Sequence, residues 1–170
     1  MKITLKIILS FFMISTFGLF SKASQIEDIL TLKEEPPGVV FELIESTGYA
    51  WTWAAPKIRG YVSQLREKFP NIDLAIVSHG REQFSLTKKS ASSIVEEVSI
   101  LKDMNKKDSV DISVCGTHSQ WLNVSRENYL PFVNVAESGP ALINDYKNLD
   151  LSLYYLKKIS YLLFLDFAEI

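Results

Sequence analysis

The chain has 170 residues, 47% hydrophobic and 22% charged, with a formal net charge of −2. That balance fits one globular domain and excludes a disordered chain, a collagen-like rod or a solenoid; a pI near 5.7 leaves no basic footprint for nucleic acid. One cysteine and two histidines exclude a disulfide scaffold, a multi-thiolate zinc site and a three-histidine metal site within one chain.

Residues 1–23 read as a secretory signal. Lys2 and Lys6 give a basic start, Ile7 to Phe20 an apolar run, and Ser21-Lys22-Ala23 small residues at the two positions a signal peptidase reads. Cleavage after Ala23 implies a periplasmic or secreted protein. The other reading is an uncleaved anchor, but the run is shorter than the roughly 20 apolar residues a span needs. No membrane span is expected once the signal is removed. The segment carries three lysines and no acid, so the remaining chain is more acidic than the whole.

Residues 24–37 are polar and end in Glu34-Glu35-Pro36-Pro37, an N-terminal leader. Gly38 to Glu45 is rich in β-branched and aromatic side chains and predicts a strand. From Trp51 to Phe69 the apolar positions recur at helical spacing, until Pro70-Asn71 stops them. Ile72 to Ser78 predicts a second strand, followed by His79-Gly80 and a polar loop over 81–91. Ser93 with Glu96 reads as a capping box opening a helix through Leu101. Val110 to Val114 predicts a third strand, running into Cys115-Gly116. A short helix is expected over His118 to Val124, with Ser125 capping another turn. Phe132 to Val135 predicts a fourth strand, Ser138-Gly139-Pro140 the start of a helix through Lys147, and Leu151 to Leu156 a fifth strand.

Strands alternating with helices predict an α/β domain, a three-layer α/β/α sandwich over residues 38–156 with a mostly parallel five-stranded sheet. The apolar strands agree, because such strands are buried on both faces. Residues 157–170 do not continue the pattern. Their apolar run Tyr161 to Leu165 is too short to span a membrane and reads as a terminal helix.

Ligands of open parallel sheets bind beyond the carboxyl ends of the strands. That rule selects Ser46-Thr47-Gly48, His79-Gly80 and Cys115-Gly116-Thr117-His118. Both histidines and the only cysteine therefore fall at one edge. A helix starting just beyond Cys115 favours a thiolate through its N-terminal dipole, and a protonated His118 acts in the same sense. Such a thiolate can attack, or can carry sulfane sulfur as a persulfide. The alternative is a small buried hydrophobe ending a strand. His79 is the second candidate imidazole, against the reading of a turn residue bonded to backbone. Gly80, Gly116 and Thr117 are candidate substrate-binding positions at the same strand ends. Trp51, Trp53 and Trp121 read as core or interface anchors, and Arg81 and Arg126 as surface residues with anion binding as the lesser reading. Dinucleotide, P-loop, serine-hydrolase and zincin motifs are absent, and no cofactor is expected.

The run Val114-Cys115-Gly116-Thr117-His118-Ser119-Gln120-Trp121, with Asn134 to Ala141 and Ile143-Asn144-Asp145-Tyr146, resembles exported members of the DsrE/DsrF-like family. Val77-Ser78-His79-Gly80 is similar to the end of that family's second strand. The likeness covers roughly residues 38–156. It implies a five-stranded parallel α/β/α sandwich that forms homo-oligomers, often trimers or hexamers. It also implies, for some members, a persulfide-carrying cysteine at the position of Cys115, with a sulfur donor or acceptor protein as partner. The chain departs from the family at Leu149-Asp150, where a Gly-Tyr pair is common, and in its tail.

Three functions stay open: a sulfur carrier built on Cys115, with His118 or His79 tuning it; a non-catalytic oligomeric binding module with an inert thiol; and a cysteine hydrolase loosely resembling caspase-like peptidases. Tyr49, Trp51, Trp53, Tyr129, Phe132, Tyr154 and Tyr155 are more aromatics than a sheet edge of this size needs, which predicts a homo-oligomer.

Overall fold

The computed structural model describes residues 26–156. The expected signal segment and the tail 157–170 lie outside the described residues.

Five strands form one sheet: β1 (Gly38–Leu43), β2 (Asp73–Ser78), β3 (Asp111–Cys115), β4 (Asn134–Ala136) and β5 (Ser152–Leu156). Their order is β4-β3-β2-β1-β5, and every neighbouring pair is parallel. Five helices connect or precede them: α1 (Ile26–Leu30), α2 (Trp51–Lys68), α3 (Val95–Lys107), α4 (Gly116–Trp121) and α5 (Gly139–Asn148). The sandwich expected from the alternation of elements is the one observed.

Alternation along the strands divides the core. Val39, Phe41, Leu43, Leu74, Ile76, Ile112 and Val114 face the layer of α1, α2 and α3, while Val40, Ala75 and Val77 face Ile143 of α5. α2 is fixed against the sheet by Trp51, Ala54, Ala55, Ile58, Val62 and Leu65, all buried.

The polar leader does more than precede the first strand. It contains α1, whose Ile26 and Ile29 are buried in the larger core. The expected capping box also takes another form. α3 starts at Val95 without a side-chain cap, and Ser93 Oγ donates to the Ser90 carbonyl inside a preceding 3₁₀ turn. α4 starts two residues earlier than its pattern suggested, directly at the end of β3. Five of the seven aromatics counted toward a surface lie in or against the core: Trp51, Trp53, Tyr129, Phe132 and Tyr154. Tyr49 and Tyr155 remain exposed, and Trp121 joins them at 75% exposure. No helix among the described residues is long and apolar enough to cross a membrane.

Candidate functional site

The connections locate a crevice. β3 runs into α4 on the three-helix face, where Ser119 Oγ meets Tyr129 Oη of the larger core at 2.8 Å. β4 runs into α5 on the opposite face. Adjacent strands whose following helices leave to opposite sides open a crevice at their carboxyl ends, where ligands of such sheets bind. Here the crevice is an apolar cleft of about 750 Å³, lined by His79, Gly80, Cys115, Thr117, His118 and Ser138, with Ile44, Trp121 and Pro140 as its apolar walls and Glu45, Ser46 and Arg81 at its side. Four candidate positions and the thiol therefore share one cavity. Gly116 does not line it; a side chain there would meet the Ala136 carbonyl at 2.6 Å, and the glycine faces a separate polar recess.

Cys115 is the residue that caps α4. Its backbone is extended, and its Sγ accepts the His118 N–H at 3.4 Å. Sulfur thus occupies the place that a serine or aspartate oxygen takes at an ordinary helix start. Ser119 Oγ donates to the Cys115 carbonyl at 2.8 Å, and Cys115 N–H donates to Gln83 Oε1 at 2.7 Å. Both neighbours are buried, so the thiol's backbone is held at its N–H and at its carbonyl while the residue itself is 5% exposed.

One nitrogen of each imidazole is engaged away from the sulfur. His118 Nδ1 lies 3.1 Å from the His79 carbonyl; a carbonyl only accepts, so Nδ1 carries the proton. The His118 ring packs edge-on against Phe84 and tilted against Trp121. His79 Nε2 lies 2.7 Å from Glu42 Oε1, and both side chains are nearly buried. β2 stands between β1, which carries Glu42, and β3, which carries Cys115. Among the described residues no imidazole hydrogen-bonds to Sγ, so the caspase-like arrangement of sulfur on imidazole is not formed. Among the described residues the other Glu42 oxygen has no hydrogen-bond partner. Burial, and then the Glu42 carboxylate, hold the Tyr155 phenol above its ordinary range.

Behind Gly80 lies a second acid. Glu82 is fully buried, and its carboxylate accepts from Ser78 Oγ at 2.7 Å, Gly80 N–H at 2.9 Å and Glu45 N–H at 2.7 Å. Burial pushes its carboxyl above the ordinary value despite these donors. Trp51 Nε1 donates to the Glu82 carbonyl at 3.0 Å, tying this loop to α2. Gly80 must be a glycine here, because a Cβ would lie 2.2 Å from Glu82 Oε2 and 2.5 Å from the Glu45 backbone. α5 closes the other side. Thr117 donates through its N–H and Oγ1 to the Glu137 carbonyl at 2.9 and 2.8 Å. A Cβ at Gly139 would sit 2.6 Å from His79 Cβ and 3.3 Å from Cys115 Cβ.

Glu42, Glu82 and Gln83 are the site residues that sequence reasoning missed. Glu42 interrupts an otherwise apolar strand, and a charge in a strand buried on both faces requires a partner. That interruption was the available signal. Among the described residues no cluster of His, Cys, Asp and Glu could hold a metal ion.

No family model and no curated protein matches this chain. Among solved structures it is similar to MTH1491, a protein of unknown function from Methanobacterium thermoautotrophicum, with a TM-score of 0.55 and 18% identity, over 69% of this chain and 97% of that one. The likeness is one of fold: a parallel α/β/α domain.

Proposed function

We propose that this is an exported protein of the DsrE/DsrF-like kind, in which Cys115 accepts sulfane sulfur and passes it on. One observation carries the reading. The only cysteine of the chain is at the wall of the crevice between α4 and α5, and its Sγ already accepts a backbone N–H. An N–H aimed at sulfur stabilises negative charge there, which is the form that attacks. The thiolate attacks the outer sulfur of a donor persulfide; the donor S–S bond breaks, its electron pair leaves with the donor thiolate, and the proton stays on the new Cys115 persulfide. Oxidation level is conserved, so the step needs no redox cofactor. His118 and His79 act here as positioning groups, through the backbone and through Glu42 respectively.

Incubation with an organic hydropersulfide, alkylative trapping and mass spectrometry tests this. The expected result is one added sulfur on Cys115 and none in Cys115→Ser; equal loading of both proteins overturns it. A second reading, an oligomeric binding module with an inert thiol, is favoured by the exposure of Ile44 (53%) and Trp121 (75%) at the cleft mouth. Unreactive Cys115 in native protein at every pH supports that reading. Self-association into trimers or hexamers belongs to both, and light scattering at micromolar concentration measures it.

A further inference from the structure

We infer that the cleft takes an anionic sulfane-sulfur donor, whose negative end rests on Arg81 and Lys89. The identity of the donor rests on the sulfur-carrier reading; the anion site does not. Arg81 lines two cavities at once, the Cys115 cleft and a contiguous recess of about 500 Å³ that also contains Lys89. Ser46 is shared between them as well. Among the described residues neither the Arg81 guanidinium nor the Lys89 ammonium has a hydrogen bond or an ion pair. Among the described residues no acid lines the recess, and the hydroxyls of Thr47 and Ser90 stand there as further donors. Among the described residues Glu45 is the one acid lining the thiol cleft. Positive charge therefore lies on the recess side and apolar wall on the thiol side.

The Arg81 backbone is fixed, its N–H donating to the Glu45 carbonyl at 2.8 Å. A guanidinium held at its root presents a fork suited to a planar or tetrahedral oxyanion, which lysine replaces only as a point charge. The ligand that fits has a sulfane sulfur at one end and an oxyanion at the other. Thiosulfate is the inorganic case and a carboxylate-bearing persulfide such as cysteine persulfide the organic one. With thiosulfate the Cys115 thiolate attacks the outer sulfur, the S–S bond breaks, and sulfite leaves with the bonding pair while Cys115 retains a persulfide anion. Charge and electrons balance, and the departing sulfite carries its charge toward Arg81.

The test uses the full chain and two alkylating reagents of similar size, anionic iodoacetate and neutral iodoacetamide. At low ionic strength Arg81→Gln is expected to slow iodoacetate on Cys115 about three- to fivefold and to leave iodoacetamide unchanged, with Lys89→Gln smaller in the same sense and added salt removing the difference. Arg81→Lys restores part of the loss. Equal effects on both reagents, or none, overturn the anion site. Loading by thiosulfate and by cysteine persulfide, compared in native protein and Arg81→Gln, separates the two donor sources. A raised half-saturating concentration in the variant supports the proposal for that donor, and loading that ignores Arg81 overturns it. If iodoacetate selectivity depends on Arg81 while neither donor loads Cys115, the anion site stands and the sulfur-carrier reading fails.

Discussion

His79 Nε2 and Glu42 Oε1 stand 2.7 Å apart, joining the loop after β2 to the carboxyl end of the neighbouring strand β1. Glu42 is 6% exposed and, among the described residues, its one hydrogen bond within normal geometry is to the imidazole, with the Tyr155 phenol also beside it, so the imidazole is the main compensation of the buried acid. Truncating one member of a buried pair leaves the other uncompensated. His79→Ala should lower the unfolding free energy by about 3–5 kcal/mol. Glu42→Gln keeps a hydrogen-bonding group opposite His79 and removes the charge, so its cost should be nearer about 1–2 kcal/mol. Urea denaturation of both variants measures this, and an equal or reversed order would show that the pair is not what holds Glu42.

Glu82 makes a pH dependence. Its carboxyl titrates above the ordinary 4.5 in the folded protein, first because of burial, with Ser78 and the Glu45 and Gly80 N–H groups opposing. The folded state therefore binds this proton more tightly than the unfolded chain does. The stability it contributes is fully present below the unfolded value and is lost as pH rises through the folded one. Glu82→Gln cannot ionise. Measured from about pH 5 to about pH 8, native protein should lose unfolding free energy relative to Glu82→Gln as pH rises. A constant difference between the two proteins across that range would remove Glu82 as the cause.

Gln83 holds the backbone of the thiol. Its Oε1 accepts the Cys115 N–H, while its own Nε2 is buried without a partner among the described residues. Gln83→Leu leaves the Cys115 amide unpaired, a loss of about 1–3 kcal/mol, and also removes the orphaned amide donor, which offsets part of it. The net stability change should therefore be small, while hydrogen exchange at the Cys115 amide accelerates. Unchanged protection of that amide would mean that another acceptor takes over.

The strands and their order of appearance were legible because apolar runs bounded by turn residues report burial directly. The edge that collects His79, Cys115 and His118 was legible too, since parallel strands all end on one side. What was hidden is how polar groups are paired inside. The 81–91 loop reads as polar, yet Glu82, Gln83 and Leu86 are buried there in a 3₁₀ turn. Composition averages over a segment and cannot say that three donors converge on one carboxylate. The aromatic count failed as a surface argument for the same reason: Trp51 and Tyr129 each have a hydrogen-bond partner inside the core, which lets an amphipathic ring be buried. His118 was expected to act on the sulfur through its ring, whereas its main chain makes the contact.

That last difference makes a prediction about Cys115. The His118 ring bonds the His79 carbonyl, and among the described residues only the His118 N–H donates to Sγ. His118→Ala keeps the N–H and should change the rate of Cys115 alkylation by iodoacetamide near neutral pH by less than about twofold, because the sulfur retains its donor. His118→Pro removes the donor as well. Position 118 is the third residue of α4, within the first turn, where a missing N–H breaks no helical bond. The preceding Thr117 is disfavoured in a helical conformation by a following proline, so circular dichroism must first show the fold intact. Loss of one N–H to a charged acceptor is worth about 1.5–3 kcal/mol, so the proline variant should react at least about ten times more slowly than the alanine variant. If the alanine variant is already about ten times slower than native protein and the proline variant is no slower than it, the imidazole activates the thiol and the helix-capping hydrogen bond does not.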